Sequence, residues 1–362
     1  MVFPPAWAPR ADTLAAYLPT ACAPLLLVPA LLIALRLLRA LLQAVGVLAV
    51  DLPPLQLRGK HVLLTGGSQG LGKALALECA KRGAAVTIMA RGAAPLAAAK
   101  AELELVCAAA AASSKTVTAK VETAPADVTD AKAVTAAVRA AEGAQGRAVD
   151  VLFCVAGMAE PGYFLEQPAE LFERQMKLNY LGTVHALLAC LPGMVTRNPK
   201  NADCRVVLVG SGASAISFLG YAAYAPTKFA VKALAEALRN ELCGTCVRVH
   251  CAYPPDTATA GFEREQVGKP AENKAMFPLE LHAPAAVAAL LVRKICRSAP
   301  PFHLPSPDPL QNLMLNSVAG VTPRWSTLGD ALLAPIAVLL EGAVVLWMDR
   351  VAAAYGRRLW SK

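Results

Sequence analysis

Short apolar runs alternate with helix-like patterns through the middle of the chain. The run "HVLLT" leads into a glycine-rich sequence, and "KALALECAKRG" after it carries apolar residues at helical spacing. The alternation continues through five further runs, "AVTIMA", "KTVTAKV", "VDVLFCVAG", "RVVLVGS" and "VRVHCAYP". Alanine-rich tracts at 93–112 and 131–144 predict packing helices. The pattern predicts an α/β fold, a Rossmann-type doubly wound parallel sheet with helices on both faces.

A hydrophobic segment precedes this region. Positions 14–35 contain no charged residue, and a helix of this length is long enough to cross a bilayer. Three prolines would kink such a helix, so a tilted or interfacial segment stays open, and a cleaved signal peptide is the alternative. Arg36 and Arg39 follow directly, and positive charge on that side predicts that the central domain faces the cytosol.

A second hydrophobic segment lies near the C-terminus. The proline-containing run "APPFHLPSPDPL" ends the alternating pattern, and "ALLAPIAVLLEGAVVLWM" is interrupted only by Glu341. It predicts a membrane-embedded helix or hairpin, with an amphipathic helix that caps the domain as the alternative. We therefore expect a membrane anchor and linker at 1–57, a nucleotide-binding domain at 58–300 and a membrane-associated segment at 301–362.

Composition strengthens the membrane prediction. Of 362 residues, 56% are hydrophobic and 17% charged, with a mean hydropathy of +0.45, which is too apolar for an ordinary soluble protein. A net charge of +9 fits anionic lipid or a phosphorylated ligand, and without a long basic run we expect no nucleic-acid partner. The ten cysteines are scattered, and Cys243 and Cys246 lack a second pair at zinc spacing. We predict no metal site and a reducing compartment.

The glycine-rich run "TGGSQGLG" is the first candidate for chemistry. It places Gly66, Gly70 and Gly72 at a strand-to-helix turn, where the backbone turns tightly and a pyrophosphate can approach the helix N-terminus. At the end of the second strand, "TIMARG" offers Arg91 and no acid for a ribose 2'-hydroxyl. Arginine there can pair with a 2'-phosphate, which favours NADP(H) over NAD(H), although a solvated arginine is the alternative.

Tyr224 and Lys228 in "YAPTK" form a candidate proton-transfer pair. A phenol titrates near pH 10 and needs a nearby cation to act at neutral pH, and residues four apart share a helix face. Tyr221 lies seven residues before Lys228, but Pro226 suits the first turn of a helix and favours Tyr224. Ser211 ends the strand "RVVLVGS" and is a candidate to bind a carbonyl oxygen, with a turn-forming role as the alternative.

These three motifs together resemble the short-chain dehydrogenase/reductase family over roughly residues 58–260. The resemblance implies that Tyr224 is the general acid, that Lys228 lowers its pKa and binds the nicotinamide ribose, and that Ser211 orients the carbonyl. "NYLGTV" implies a part for Asn179 in a proton relay through water. The cofactor is implied to be NADPH/NADP+, held by Gly66, Ser68, Gln69, Gly70, Leu71, Gly72, Arg91, Asp127, Val128, Ala156, Gly157, Tyr224, Lys228, Pro254 and Thr257.

Two departures from the family pattern stand out. Cys154 and Val155 replace an Asn-Asn pair whose hydrogen bonds brace the central strand. After Arg91 the chain continues "GAAP" without a further lysine, which implies a looser clamp on the 2'-phosphate.

Within the family, "CAYPPDTATAGFE", "VAGMAEPGYF" and "NYLGTVHA" resemble reductases of a long-chain keto-amine lipid. That likeness implies an endoplasmic reticulum membrane enzyme facing the cytosol, and a homo-oligomer stays open. The alternatives are a reductase of another membrane-soluble ketone, such as a steroid or retinoid, and a non-catalytic membrane protein that retains the fold. We expect a substrate lid at 261–284, and Asp256 and Glu160 are candidates to recognise the amino group.

Overall fold

A seven-stranded parallel sheet forms the centre of the fold, in the order β3-β2-β1-β4-β5-β6-β7. The strands are β1 His61–Thr65, β2 Ala85–Ala90, β3 Val121–Pro125, β4 Val151–Cys154, β5 Cys204–Val209, β6 Val247–Ala252 and β7 His303–Leu304. β1, β4 and β5 are buried at every position, as expected for strands covered on both faces. The doubly wound parallel sheet that the sequence predicts is therefore confirmed.

Helices cover both faces of this sheet. They are α1 Gly70–Lys81, α2 Ala93–Ser114, α3 Ala131–Gln145, α4 Ala169–Met176, α5 Gly182–Thr196, α6 Ala225–Glu241, α7 Ala260–Glu265, α8 Ala271–Met276 and α9 Pro284–Ile295. One core cluster contains buried residues of α1, α2 and α9, and the other contains those of α3, α5 and α6. The alanine-rich tracts form α2 and α3, the packing helices predicted for them.

The structure is a computed structural model that describes residues 53–114, 119–196, 203–242, 245–276, 280–309, 311, 312 and 315. The chain divides into a unit of residues 1–53 and a unit of residues 54–362, and the sheet with its helices belongs to the second. Both predicted hydrophobic segments, at 14–35 and 331–348, lie outside the described residues.

Two strands differ from the sequence prediction. The sequence predicts the third strand at 115–121, but it lies at Val121–Pro125, where Val121 and Ala124 are buried against the sheet. The seventh strand has no counterpart in the sequence prediction. It lies within the proline-containing run after residue 300 and pairs through the register of Cys251 with His303 and of Ala252 with Leu304.

The strand order reverses between β1 and β4, which are neighbours in the sheet. β1 continues to β2 on one side, and β4 continues to β5 on the other, so the loops that follow β1 and β4 diverge. A crevice at the carboxyl ends of the strands is expected at such a switch point, and ligands of open α/β sheets bind there.

One helical stretch of the described chain, Ala169–Thr196, is long and apolar enough to cross a membrane by length and composition. It comprises α4, a π-helical turn at Lys177–Leu181 and α5. Ala186, Leu187 and Cys190 of α5 are buried in the core beside α3 and α6. These side chains therefore belong to the packing of the sheet, whereas Leu181 and Leu188 of the same stretch are exposed.

Candidate active site

The glycine-rich loop connects β1 to α1 at the switch point. Gly66 and Gly70 have φ angles of 69° and 56°, in the region that favours glycine. A Cβ atom on Gly72 would lie 2.1 Å from the carbonyl oxygen of Gly66, so only glycine fits. Gln69 is the N-cap residue of α1 and no side chain caps the helix there. The loop therefore leaves backbone N–H groups at the helix N-terminus, as a pyrophosphate requires. Ser68 and Leu71 are half-buried in the same turn.

The ends of β2 and β3 carry the residues predicted for the adenine side. The Arg91 guanidinium lies 3.8 Å from the Asp127 carboxylate, and both side chains are solvent-exposed. Burial alone would raise the pKa of Asp127, but hydrogen bonds from Thr129 and the charge of Arg91 lower the pKa overall. Val128 is buried and accepts a hydrogen bond at its carbonyl oxygen from His185 Nδ1, 2.8 Å away. The structure thus brings Arg91, Asp127 and Val128 to one edge of the site.

Thr65 braces the central strand where the family pattern is lost. Its hydroxyl oxygen accepts hydrogen bonds from the backbone N–H groups of Val155 at 3.0 Å and Ala156 at 3.2 Å. Ala156 also limits the loop, because a Cβ atom on Gly66 would lie 3.0 Å from its backbone. Although Cys154 and Val155 replace the Asn pair, Thr65 of β1 still holds the end of β4 through these two hydrogen bonds.

Tyr224 lies at the N-terminus of α6, beside Ser211 at the end of β5. The Ser211 side chain is near enough to the Tyr224 hydroxyl to act on its pKa. Burial raises the pKa of Tyr224 well above its ordinary value, the negative charge of Glu265 adds to this, and the Ser211 side chain lowers it only in part. The Ser211 side chain also accepts a hydrogen bond from Ala213 N–H, so it caps the turn as well. The phenol is therefore protonated at neutral pH, the form that donates a proton to a carbonyl.

Lys228 lies one turn further along α6 and is 5% exposed. Its ammonium donates to the carbonyl oxygen of Val209 at 2.9 Å and lies 5.7 Å from the centroid of the Tyr224 ring. Burial lowers the pKa of Lys228 from 10.5 to about 8. Because the ammonium faces the ring and the end of β5, the lowering of the Tyr224 pKa by Lys228 stays a prediction.

Asn179 is in the π-helical turn between α4 and α5 and is buried. Its side chain accepts from the N–H of Met158 and donates to the carbonyl oxygen of Met158, both at 2.9 Å. It also donates to Thr227 Oγ1 at 3.0 Å. A Cβ atom on Gly157 would lie 3.0 Å from Asn179 Oδ1 and 3.5 Å from Lys228 Nζ. Asn179 and Lys228 therefore border the same glycine, and the proton relay stays a prediction.

Tyr221, the alternative phenol, is bound elsewhere. Its hydroxyl donates to Glu265 Oε1 of α7, and the Lys269 ammonium lies 5.7 Å from its ring centroid. Burial raises the pKa of Tyr221, and the charge of Glu265 and the hydrogen bond to it raise that pKa further. The ring centroids of Tyr221 and Tyr224 lie 5.8 Å apart, edge to face. Tyr221 thus supports Tyr224 from the side.

The α7–α8 segment, residues 260–276, packs over the loops that follow β4 and β5. Asn273 donates to the carbonyl oxygen of Leu219 at 2.8 Å, and Tyr163 donates to Glu272 at 2.5 Å. At its start, the Thr259 methyl group would lie 3.3 Å from a Cβ atom on Gly70 of the dinucleotide loop. The segment therefore lies where the sequence predicts a substrate lid, and its role as a lid stays a prediction.

Pro254 and Thr257 precede this segment, after β6. Pro254 is half-buried, and Thr257 is buried with its hydroxyl donating to the carbonyl oxygen of Pro255 at 2.7 Å. The Thr257 hydroxyl is therefore used within its own turn.

Three contributors were missed by the sequence analysis, Thr65, Thr227 and Glu265. Thr227 accepts from Asn179 and donates to the carbonyl oxygen of Tyr224 at 2.7 Å, and it stands inside the quoted "YAPTK" motif. A threonine ending a buried strand was a signal for Thr65. Glu265 gives no local signal, because its partner Tyr221 is 44 positions away.

A nicotinamide dinucleotide fits this arrangement. The loop has no room for a Cβ at Gly72, its helix N-terminus offers free N–H groups, and Gly157 opens the floor between Asn179 and Lys228. When bound, the nicotinamide would supply a hydride to a carbonyl carbon. The chain places Ser211 and Tyr224 side by side for the other half of such a reaction, and their roles in holding the carbonyl oxygen and donating the proton stay predictions.

Comparison with known proteins agrees with this chemistry. A family profile described as short chain dehydrogenase matches residues 60–268. The chain belongs to the short-chain dehydrogenase family, and it is an oxidoreductase that uses a nicotinamide cofactor.

Two curated relatives and one solved structure are similar to this chain. A 3-dehydrosphinganine reductase from Danio rerio is 38% identical over 66% of this chain and 69% of that protein. A 3-ketodihydrosphingosine reductase from Dictyostelium discoideum is 32% identical over 79% and 85%. A short-chain type dehydrogenase/reductase from Mycobacterium marinum, 25% identical, superposes with a TM-score of 0.58 over 67% of this chain and 90% of its own.

Proposed function

We propose that this protein catalyses the NADPH-dependent reduction of 3-dehydrosphinganine to sphinganine in sphingolipid biosynthesis. The observation that carries the proposal is the assembly of Ser211, Tyr224 and Lys228 beside a dinucleotide loop, in a chain whose curated relatives bear this activity in their names. The protonated phenol of Tyr224 suits reduction of the ketone, because the proton it donates becomes the hydroxyl proton of the alcohol.

The preference for NADPH rests on Arg91. Its side chain is 71% exposed at the end of β2, where it is free to turn toward a 2'-phosphate. Asp127 at 3.8 Å is its partner in the structure, and the pair is too exposed to hold the guanidinium strongly.

We further propose that the enzyme is attached to the endoplasmic reticulum membrane through hydrophobic segments within 1–57 and 301–362. The catalytic domain, which includes β7 as well as residues 58–300, faces the cytosol. The charge-free stretch 14–35, followed by Arg36 and Arg39, supports this orientation. A long-chain keto-amine partitions into the bilayer, so attachment raises its local concentration at the site. Resistance to alkaline extraction of microsomes, with protease access to the central domain from outside, is the expected result.

The deciding experiment uses microsomes that carry the full-length chain. They are incubated with 3-dehydrosphinganine and either NADPH or NADH, and sphinganine is measured. We expect sphinganine with NADPH and much less with NADH. Absence of sphinganine with both cofactors would overturn the substrate, and turnover of a steroid or retinoid ketone instead would identify the alternative class. Equal rates with the two cofactors would overturn the role of Arg91.

A further inference from the structure

The carboxylate of Glu265 lies beside the two tyrosines of the site. It accepts the hydroxyl proton of Tyr221, whose ring lies edge to face against Tyr224 with 5.8 Å between centroids. Its negative charge is also strong enough at the Tyr224 hydroxyl to raise the pKa of that phenol. Glu265 therefore lies within electrostatic reach of the atom that donates the proton.

The position of the substrate's charged group follows from its chemistry. 3-Dehydrosphinganine carries an ammonium group on the carbon next to the ketone. Once Ser211 and Tyr224 hold the ketone oxygen, that ammonium must lie close to the Tyr224 hydroxyl. A cation brought into a partly buried site needs a negative partner there, since an unpaired charge loses its hydration.

The surrounding charges leave room for one more cation. Asp256, at the start of the turn before α7, also raises the pKa of Tyr224 through its negative charge. Within the described chain, no hydrogen bond or ion pair reaches the Asp256 carboxylate. Lys269 is the cation near both acids, and its ammonium lies 5.7 Å from the ring centroids of Tyr221 and Phe262. Burial raises the pKa of both Glu265 and Asp256, so a further cation beside these two carboxyl groups would stabilise their charged forms.

Glu160, the other acid that the sequence offers for this role, is already paired. Its Oε2 atom accepts from Arg174 Nη2 at 2.6 Å, and its backbone carbonyl accepts from Gln167 and Gln175. An ammonium at Glu160 would share a solvent-exposed carboxylate whose charge Arg174 already balances. Among the described residues, the hydrogen bond that reaches the Glu265 carboxylate comes from the neutral Tyr221 hydroxyl and uses Oε1, so its second oxygen remains able to accept from a substrate.

We propose that Glu265, oriented by Tyr221, binds the ammonium group of the substrate and so makes the enzyme selective for amino ketones. The inference rests on the proposed function, because it takes the substrate from there. Asp256 contributes the weaker, more solvated part of the negative field. Glu265 is a specificity-determining residue, and Tyr221 is its positioning residue.

The test compares two substrates that differ only in the amino group, 3-dehydrosphinganine and 1-hydroxyoctadecan-3-one, each with NADPH and the full-length protein in detergent micelles. Wild type is expected to favour the amino ketone. Glu265→Gln is expected to lower kcat/KM for the amino ketone by about tenfold or more, chiefly through KM, as for loss of a hydrogen-bonded charge. It should change kcat/KM for the amine-free ketone by less than about twofold.

Three further variants make the result specific. Glu265→Asp should recover part of the preference, and Asp256→Asn should weaken it less than Glu265→Gln does. Glu263→Gln, an exposed acid on the same helix, should leave both substrates unchanged. Equal losses on both substrates in Glu265→Gln would mean a merely structural role through Tyr221 and would overturn the proposal.

The wild-type measurement stands even if a variant does not fold. Equal wild-type efficiency on the two ketones would overturn the ammonium site while leaving the reductase function intact. No reduction of 3-dehydrosphinganine by wild type would instead overturn the proposed function itself.

Discussion

At the scale of single residues, the site depends on which protons are held and which are released. Burial raises the pKa of Tyr224 and lowers that of Lys228, so the phenol is neutral at pH 7 while the ammonium keeps its proton with little margin. Both shifts come from the same cause, because burial penalises the charged form of either group. The site is therefore prepared for giving a proton to a ketone.

The choice between the two tyrosines is tested by removing one hydroxyl at a time. Tyr224→Phe should lower kcat by at least about a hundredfold, since general acid catalysis is lost, while NADPH binding is retained. Tyr221→Phe should keep kcat, because its hydroxyl is bonded to Glu265, and should raise KM for the amino ketone, because Glu265 loses the bond that orients it. Steady-state kinetics with fluorescence titration of NADPH measure both. An active Tyr224→Phe beside an inactive Tyr221→Phe would show that the proton comes from the other phenol.

Burial of the Lys228 ammonium lowers the free energy of unfolding of the protein at neutral pH. Its pKa falls from 10.5 in the unfolded chain to about 8 when folded, so the folded state disfavours the charged form at pH 7. Between pH 8 and 10.5 only the unfolded chain keeps this proton, so stability rises with pH in that window. At pH 7 the free energy of unfolding of Lys228→Met, measured with urea, should exceed that of wild type by about 1–3 kcal/mol. The variant should be inactive.

The control for Lys228→Met is the pH itself. The stability difference from wild type should shrink as pH rises toward 10.5, because the wild-type lysine then loses its charge as well. A Lys228→Met protein that is less stable than wild type at pH 7 would show that the hydrogen bond to Val209 outweighs the burial of the charge.

At the scale of elements, the sequence predicted those helices, strands and turns that depend on neighbouring residues in the chain. The dinucleotide loop, β1 and α1 follow from glycine spacing and hydrophobic periodicity, and both alanine-rich tracts form helices. The high β-propensity of "KTVTAKV" predicts the third strand too early in the chain. The strand lies later because its pairing with β2 runs from Val121 to Pro125. The two residues of β7 have no periodicity of their own, so only their pairing with β6 defines that strand.

The same limit applies to the site. Gly72, Ser211, Tyr224 and Lys228 were found because each stands in a short motif at the end of an element. The bracing by Thr65 and the Tyr221–Glu265 bond join segments far apart in the chain, so their geometry required the fold.

The loop is tested by adding one methyl group. In Gly72→Ala the new Cβ would lie 2.1 Å from the carbonyl oxygen of Gly66, which is backbone and must move. We expect NADPH affinity to fall by about tenfold or more, measured by fluorescence titration. Gly143→Ala in α3 is the matched control, because its Cβ meets nothing within 4 Å. It should bind NADPH normally and gain about 0.5–1 kcal/mol of stability. Unchanged affinity in Gly72→Ala would contradict the role of the loop.

At the scale of the whole domain, buried charge and buried histidine set the response to acid. Arg205 is fully buried in β5 and pairs with Asp203. His250 in β6 is 2% exposed and bonds through Nδ1 to the carbonyl oxygen of Pro301 at 2.8 Å. Burial, helped by the charge of Arg205, lowers the pKa of His250 from 6.5 to about 3. The central strands therefore contain a group that resists protonation.

This predicts loss of stability in mild acid. Above pH 6.5, His250 is neutral in both the folded and the unfolded chain, so its burial costs no stability. As the pH falls from 6.5 toward 3, only the unfolded chain binds a proton at His250, and the free energy of unfolding therefore decreases. His250→Asn keeps a donor for Pro301 but cannot titrate. When the pH is lowered from 6.5 to 4.5, the free energy of unfolding of this variant, measured with urea, should fall by about 2 kcal/mol less than that of wild type.

His185→Asn is the control, since His185 is half-buried and makes the same kind of bond, to Val128. It should keep the wild-type slope with pH. An equally steep acid loss in His250→Asn would assign the effect to other buried groups, of which His61 is one with a lowered pKa.

The helix α7 has only six residues, so it makes few intrahelical hydrogen bonds and opens locally at a smaller free-energy cost than α6. Its N-cap residue, Thr259, lies against Gly70 of the dinucleotide loop, and its last residue is bonded to Tyr221. A single local unfolding event would therefore release the contacts of α7 with the cofactor loop and with Tyr221, the ring that packs against Tyr224. We therefore expect entry of the substrate and departure of the dinucleotide to depend on one equilibrium, which amide hydrogen exchange at 260–265 would report directly.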